Sequence, residues 1–459
     1  DSEQVRSAFR DPATYTNIAL GGVFLLIIKD YAPMPERLQS VLGRMREIPR
    51  VLEEGKANVI PAETPRLWAE MALESAQMGA GLFQGLIPSL SAQAPDIAGA
   101  LDEAAQTAAG AVQDYAAWIE NNVIPKAQGE FPAGRELFET ILRENHMVDW
   151  NIDWLLARGH ELYDSTLVEM ETLAQEIDPG KSAKELVEAI KDDHPAAEAL
   201  LDTYRDAMER ARQFVIDHDL ATIPADEELK IVETPLFIRN QIPYAAYIPP
   251  GLLEEVQQGI FFVTPVDPNA PPEEQEEKLR GHGHDDLPVT ALHEAYPGHH
   301  LQLTVANLNK SLPRLFGSFL SSLFIEGWAF YCEEMMEQQG FINKPIQRLG
   351  RLQAQLWRAA RIIVDVSLHT GKMSYDEAVQ FMVEKANLEP SDAKVEVNRY
   401  TQSPTQPMSY LMGKHEIMQI VDEYKTRNPD HSLKQMHDAI LRCGSLPPRL
   451  LRRRLFSPD

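Results

Sequence analysis

The sequence predicts a mainly α-helical protein with one small β-sheet. Three observations carry this. Apolar residues recur three and four apart through most of the chain. Short β-branched and aromatic runs with prolines at their ends occur between Leu229 and Val266. No internal repeat or long low-complexity tract interrupts the pattern.

The helical period runs through Leu101 to Glu120, Gly134 to His146, Ile152 to Ile177 and Pro195 to His218. Ser182, with Glu185 three residues on, predicts a capping box, and Gly180 fits the stop of the preceding helix. This half shows little reactive chemistry and reads as scaffold. Near Ala221 the texture changes. Leu229 to Phe237 and Gly259 to Val266 predict strands. Tyr244 to Pro250 reads as an extended aromatic loop, and the acidic, Pro-rich Asp267 to Glu277 as an exposed connection. Helical pattern resumes at Pro288, broken at Pro297-Gly298, Pro313, Gly340, Gly371, Pro404 to Pro407 and Pro429. The chain thus divides into a helical N-terminal lobe, 1–220, and a second lobe, 221–459, that carries the sheet.

The 459 residues hold 43 Lys+Arg against 69 Asp+Glu, a formal charge of −26. That balance argues against nucleic acid and anionic lipid as partners, which need clustered cations. The longest apolar run, Val23 to Ile28, falls far short of the roughly 20 residues of a membrane span. Cys332 and Cys443 cannot build a disulfide framework or a Cys-rich zinc site. The chain begins with Asp1 rather than Met, which leaves room for a removed signal peptide or lipoprotein anchor. The expectation is a soluble protein, cytoplasmic or exported, of open oligomeric state.

Five of the 13 histidines crowd into one segment: His282, His284, His293, His299 and His300. His282 and His284, in Gly-His-Gly-His-Asp-Asp, read as a solvated loop. Thr290 to Leu303 reads as metal-ligating. A catalytic zinc takes about three protein ligands and keeps one position open. His293 supplies a ligand, and Glu294 beside it a base for water. The usual second histidine comes four residues after the first, but Pro297 holds that position. Two candidates remain. His300 shares a face with His293 on a straight helix, but about 10 Å away. Pro297 removes a helical hydrogen bond and disfavours helix at Tyr296. The helix must therefore kink or bulge, and looping out two residues would put His299 in the missing place.

A third ligand is expected from a helix spanning Ser318 to Gly340. Glu326 sits there in an apolar, aromatic stretch, so it is buried with a partner or coordinating. Glu333, seven residues on, reads as a solvated helix charge, with support of the site as the other reading.

His293-Glu294-Ala-Tyr-Pro297-Gly298-His299-His300, followed by Glu326-Gly327-Trp328-Ala329, resembles the bacterial domain of unknown function 885 family. Its signature is His-Glu-x-x-Pro-Gly-His with a downstream Glu-Gly-Trp-Ala. The likeness continues through Arg361 to His369, Arg399 to Gly413, His437-Asp438 and Gly444 to Pro447, and Tyr15 to Asn58 shares the look. It covers nearly the whole chain and is specific from Leu292 to Tyr410. The family resembles a distant branch of the gluzincin metallopeptidases, whose His-Glu-Phe-Gly-His has two fewer residues before the second histidine. Aligning the Gly-His pairs points to His299. The resemblance implies a multi-helical, zincin-like, two-lobed architecture with a small antiparallel sheet beside the metal site. It also implies one zinc ion on His293, His299 and Glu326, and a longer N-terminus in relatives. It supplies no substrate.

Peptide hydrolysis passes through an oxyanion that needs donors. Tyr410, Tyr400, Arg399 and His369 are candidates, with Tyr410 the choice. Arg399 and Tyr410 border Thr401 to Ser409, a Pro-, Ser- and Gln-rich stretch that reads as loop. Arg358, Arg361, Asp365 and His369 follow one another along one helix face. One account is a surface ion-pair ladder. The other turns His369 to the cleft, held by Asp365, with Arg361 or Arg399 clamping a substrate carboxylate. The strand from Gly259 is expected beside the metal helix, with an edge open to an extended peptide. The expected function is zinc-dependent hydrolysis of short peptides in a cleft between the lobes, with Glu294 as general base. The alternative is a metal-binding protein of the same fold without hydrolytic activity, since the Pro297 insertion distorts the site. A carboxylate-bridged two-metal bundle would need paired Glu-x-x-His motifs, which Glu326 lacks around it.

Overall fold

The computed structural model describes residues 6–235, 239, 242, 244–310 and 321–457. The chain divides into two compact units, Asp1–Pro132 and Ala133–Asp459. The division therefore falls well before residue 220. The helices between 134 and 217 join the second unit because their apolar faces are buried there, against later helices and the sheet.

The first unit is helical. Its long helices are α1 (Ala13–Ile28), α2 (Met34–Asn58), α3 (Arg66–Gly81) and α4 (Ala98–Trp118). Both α1 and α4 pack against α2 and α3. Small residues allow this closeness. On α4 the buried face includes Ala104, Ala105, Ala108 and Ala109. On α2, a Cβ at Gly55 would lie 2.7 Å from the Tyr15 ring. A π turn, Ile119–Val123, continues α4 past its predicted end.

The second unit contains α5 (Ile152–Ile177), capped by Asn151, and α6 (Leu200–Asp217). The predicted Ser182–Glu185 capping box is present. The strands are β1 (Glu227–Glu233), β2 (Ala245–Ile248) and β3 (Gln257–Val263), in the order β1-β3-β2. β3 runs parallel to β1 and antiparallel to β2, so the sheet is mixed rather than antiparallel. The chain forms β2 on the far edge and only then lays β3 between the other two. β3 is therefore central and buried, and offers no open edge to a peptide. Tyr244 to Pro250 contains β2 instead of a loop. Asp267 to Glu277 runs into a helix, Pro272–Arg280, whose first-turn Glu273 and Glu274 suit its N-terminus.

The remaining long helices are α7 (Leu287–Glu294), α8 (His299–Leu308), α9 (Ser322–Gln338), α10 (Pro345–His369), α11 (Pro390–Gln402) and α12 (Ser409–Arg427). Pro313, the start of the helix predicted from Ser318, and the end of the strand predicted to Phe237 lie outside the described residues. α5 packs along α10, and α6 packs on α7 and β1. α9 and α12 cross at two glycines. A Cβ on Gly327 would lie 2.3 Å from the Gly413 carbonyl carbon, and one on Gly413 would lie 2.1 Å from the Leu323 oxygen. Trp328, Phe324 and Phe330 of α9 are fully buried. No helix among the described residues is long and apolar enough to cross a membrane.

Candidate metal centre

The Pro297 insertion resolves as a two-residue loop-out. α7 ends at Glu294 and α8 begins at His299, with a cis Tyr296–Pro297 bond between them. An unbroken helix would bond each N–H to the carbonyl four residues back. Here Gly298 N–H donates to Leu292 O at 3.0 Å, and Leu301 N–H to Ala295 O at 3.3 Å, each six back. Those two extra residues let His299 take the place four after His293. Gly298 must be glycine, because a Cβ there would lie 1.8 Å from His293 O. The freed Pro297 carbonyl accepts from Trp328 Nε1–H at 2.9 Å and from the Cys332 thiol at 3.6 Å. The Glu-Gly-Trp-Ala motif thus brings Glu326, lets α12 approach at Gly327, and anchors the loop through Trp328.

His293, His299 and Glu326 converge, with one ligand atom from each lying within 4.8 Å of the others. Both histidines are buried, and the rings meet edge to face at 4.8 Å. Glu326 Oε2 lies 3.4 Å from His299 Nε2. This oxygen and His299 Nδ1 are buried without a hydrogen-bond partner. Burial opposes charge on His299, yet the Glu326, Glu294 and Glu333 carboxylates outweigh it and raise its pKa. Burial likewise opposes ionisation of Glu326, while His299, His293 and Arg361 pull its pKa down. Two imidazoles beside orphaned, acceptor-rich carboxylates fit a divalent cation of the zinc type.

Glu333 is not a solvated charge. It is 1% exposed, and its Oε1 lies 2.7 Å from His293 Nδ1. That contact leaves His293 Nε2 as the nitrogen available to a metal, an arrangement that orients a ligand imidazole. The signal was its position two turns after Glu326. Glu294 is partly exposed, and its charge is felt by His299, Tyr204 and Tyr247.

His300 faces the other way. Its Nε2 is 2.7 Å from Glu227 Oε2 and its Nδ1 3.0 Å from the Tyr247 hydroxyl, while Tyr296 also donates to Glu227. β3 lies against this ring, since a Cβ on Gly259 would meet His300 Nδ1 at 2.6 Å. His282 is buried against Tyr204 and Tyr244 rather than solvated, and His284 is exposed.

Tyr410 opens α12 and is partly exposed. Burial and the Glu326 charge raise its pKa, against the pull of Arg361 and Arg399. The ladder expected on α10 is buried. Arg361 Nε donates to Tyr400 Oη and its Nη2 to Glu396 Oε2, both at 2.8 Å. Arg399 and the Tyr400 hydroxyl also donate to Glu396. Glu396, four before Tyr400 and three before Arg399, went unremarked in the sequence although this spacing was its signal. Arg399 lies on α11 rather than on the loop, and its side chain is 40% exposed.

His369 does not face a cleft. It is fully buried, with Ala133 N–H donating to Nδ1 at 3.2 Å and Nε2–H donating to Tyr400 O at 2.9 Å. Asp365 does not hold it by a hydrogen bond, lying 3.9 Å away. The Asp365 oxygens accept Thr405 N–H and Met408 N–H instead, and so fix the loop between α11 and α12. A cavity lined by Arg239, Thr264, Asp267 and Lys278 shares no residue with this centre.

Fold and site together define a mainly helical protein with a small mixed sheet and a His-His-Glu cluster built across three helices. The chain belongs to the bacterial DUF885 family of proteins of unknown function, whose model matches residues 3–455. It is similar to a solved structure from Shewanella oneidensis, titled a "putative lipoprotein of unknown function". The TM-score is 0.76 and the identity 26%, over 98% of this chain and 83% of that one. A "putative lipoprotein" from Colwellia psychrerythraea gives a TM-score of 0.77 at 19% identity, over 92% of this chain and 75% of that one. The second likeness shows the fold alone. No curated protein matches the chain.

Proposed function

We propose that the protein is a gluzincin-like, zinc-dependent hydrolase acting on short peptides. The observation that carries this reading is the loop-out at Pro297. It gives a His-Glu-x-x-His arrangement in space, with Glu333 behind His293 and Glu326 as third donor. His293, His299 and Glu326 would hold the ion, which supplies Lewis acidity. Glu294, next to His293 and partly exposed, takes a proton from the attacking water and delivers it to the leaving amine. Tyr410 keeps its proton, because burial and the Glu326 charge raise its pKa, and donates to the developing oxyanion. Water adds across the amide, and a carboxylic acid and an amine leave. The titles of the two structural relatives support an exported location, which fractionation of source cells checks.

Metal analysis and a peptide-cleavage screen test the reading. Stoichiometric zinc and cleavage that fails in Glu294→Gln support it. Full activity in Glu294→Gln overturns the role of Glu294. Bound zinc with no cleavage favours the alternative, a metal-binding protein without hydrolytic activity.

A further inference from the structure

Three guanidiniums gather around Tyr410. Arg361 lies 4.6 Å and Arg358 5.7 Å from its ring centroid, and Arg399 joins Arg361 through Glu396. In a chain of charge −26 this cluster carries a local excess of cations. Glu396 is the carboxylate shared by Arg361 and Arg399, and its pKa is drawn down to about 2 by both, against burial. No described residue forms an ion pair with Arg358. Asp365 adds no compensation, because it is fully buried and spent on Thr405 N–H and Met408 N–H.

The cluster also has unmet donors. Arg361 is 4% exposed, and its Nε and Nη2 are engaged by Tyr400 and Glu396, while Nη1 is buried without an acceptor. Arg358 Nε and Trp357 Nε1 are in the same state. The Trp357 ring lies 4.2 Å from the Arg361 guanidinium and 5.2 Å from that of Arg358. Such buried donors want an acceptor-only group. A carboxylate supplies it, with the charge the cluster lacks and a shape that matches a guanidinium edge. The site adjoins the candidate metal centre, since the Arg361 charge acts on Glu326 and the Glu326 charge on Tyr410.

We propose that Arg361, Arg399 and Arg358, with Trp357 and Tyr410, bind the free terminal carboxylate of a peptide substrate. The enzyme then cuts within a residue or two of the C-terminus. This rests on the hydrolase reading and adds the substrate class to it.

The test compares N-acetylated peptides ending in a free carboxylate with their C-terminal amides. With zinc-loaded protein the acid should exceed the amide in kcat/KM by about 30- to 100-fold, mostly through KM, as expected for a charge-assisted pair of hydrogen bonds. Arg399→Gln should bring the ratio towards one. Arg361→Lys, which keeps the charge but not the fork, should lower it with circular dichroism and zinc content unchanged. Independently, N-acetyl-alanyl-alanine should bind metal-free protein more tightly than its amide in calorimetry. Equal cleavage of acid and amide overturns the carboxylate site and leaves the hydrolase reading standing. Preferential binding of the acid without any cleavage supports the site and overturns hydrolysis. Neither cleavage nor preferential binding overturns both.

Discussion

The two faces of α8 carry adjacent histidines in opposite settings. His299 meets His293 and Glu326, and its Nδ1 and the Glu326 Oε2 are buried without hydrogen-bond partners. His300 has both ring nitrogens engaged, by Glu227 and Tyr247, and ties α8 to the sheet. A satisfied ring holds the fold, whereas a ring facing other unsatisfied donor groups is available to a ligand. The same contrast separates the triad from His369 and His437, each buried with two partners.

The largest expected effect breaks the ligand side. His299→Ala should lose stoichiometric zinc and cleavage by about 1,000-fold or more, because an open-site zinc retains only three protein ligands. His300→Ala should keep its zinc, and a mutant that loses it would erase the contrast. Glu294→Gln should retain zinc and lose about 100- to 10,000-fold in kcat, the range of a removed general base.

Smaller effects sharpen the comparison. Glu333→Gln should weaken metal affinity by about 10- to 100-fold, measured by chelator competition. His300→Ala should cost about 1–3 kcal/mol in denaturant unfolding, since Glu227 and Tyr247 lose a buried partner.

The structural histidines also predict a pH dependence. Burial lowers the pKa of both His369 and His437 to about 4, below the model value of 6.5. Each ring is neutral by its partners. His437 Nδ1–H donates to Leu220 O while its Nε2 accepts from Tyr331. Between pH 4 and 6.5 the unfolded chain binds more protons than the folded one, so stability rises with pH there. The melting temperature should therefore fall as pH drops from 6.5 towards 4, and His437→Gln should flatten that slope.

Much of this centre was legible in the sequence because proline at the fourth position forces a local answer. Its missing N–H and its clash with the preceding turn compel a break, and the break selects His299. Helix existence was equally legible, since periodicity is local. What failed depended on distant packing. Nothing local says that Glu333 meets His293, that His369 is sealed by the Ala133 and Tyr400 backbone, or that β3 enters between β1 and β2. The glycines at 327 and 413 signal close approach only once both helices are seen together.

The caught carbonyl of Pro297 has a consequence at the level of the gene. Removing the codons for Tyr296 and Pro297 would leave His-Glu-Ala-Gly-His, which an unbroken helix could present with the same spacing. The shortened chain would give up the acceptor held by Trp328 and Cys332 and the Tyr296 tether to Glu227. The long and short forms of the motif are thus one six-base deletion apart, separated by how firmly α9 and the sheet grip the two residues between them.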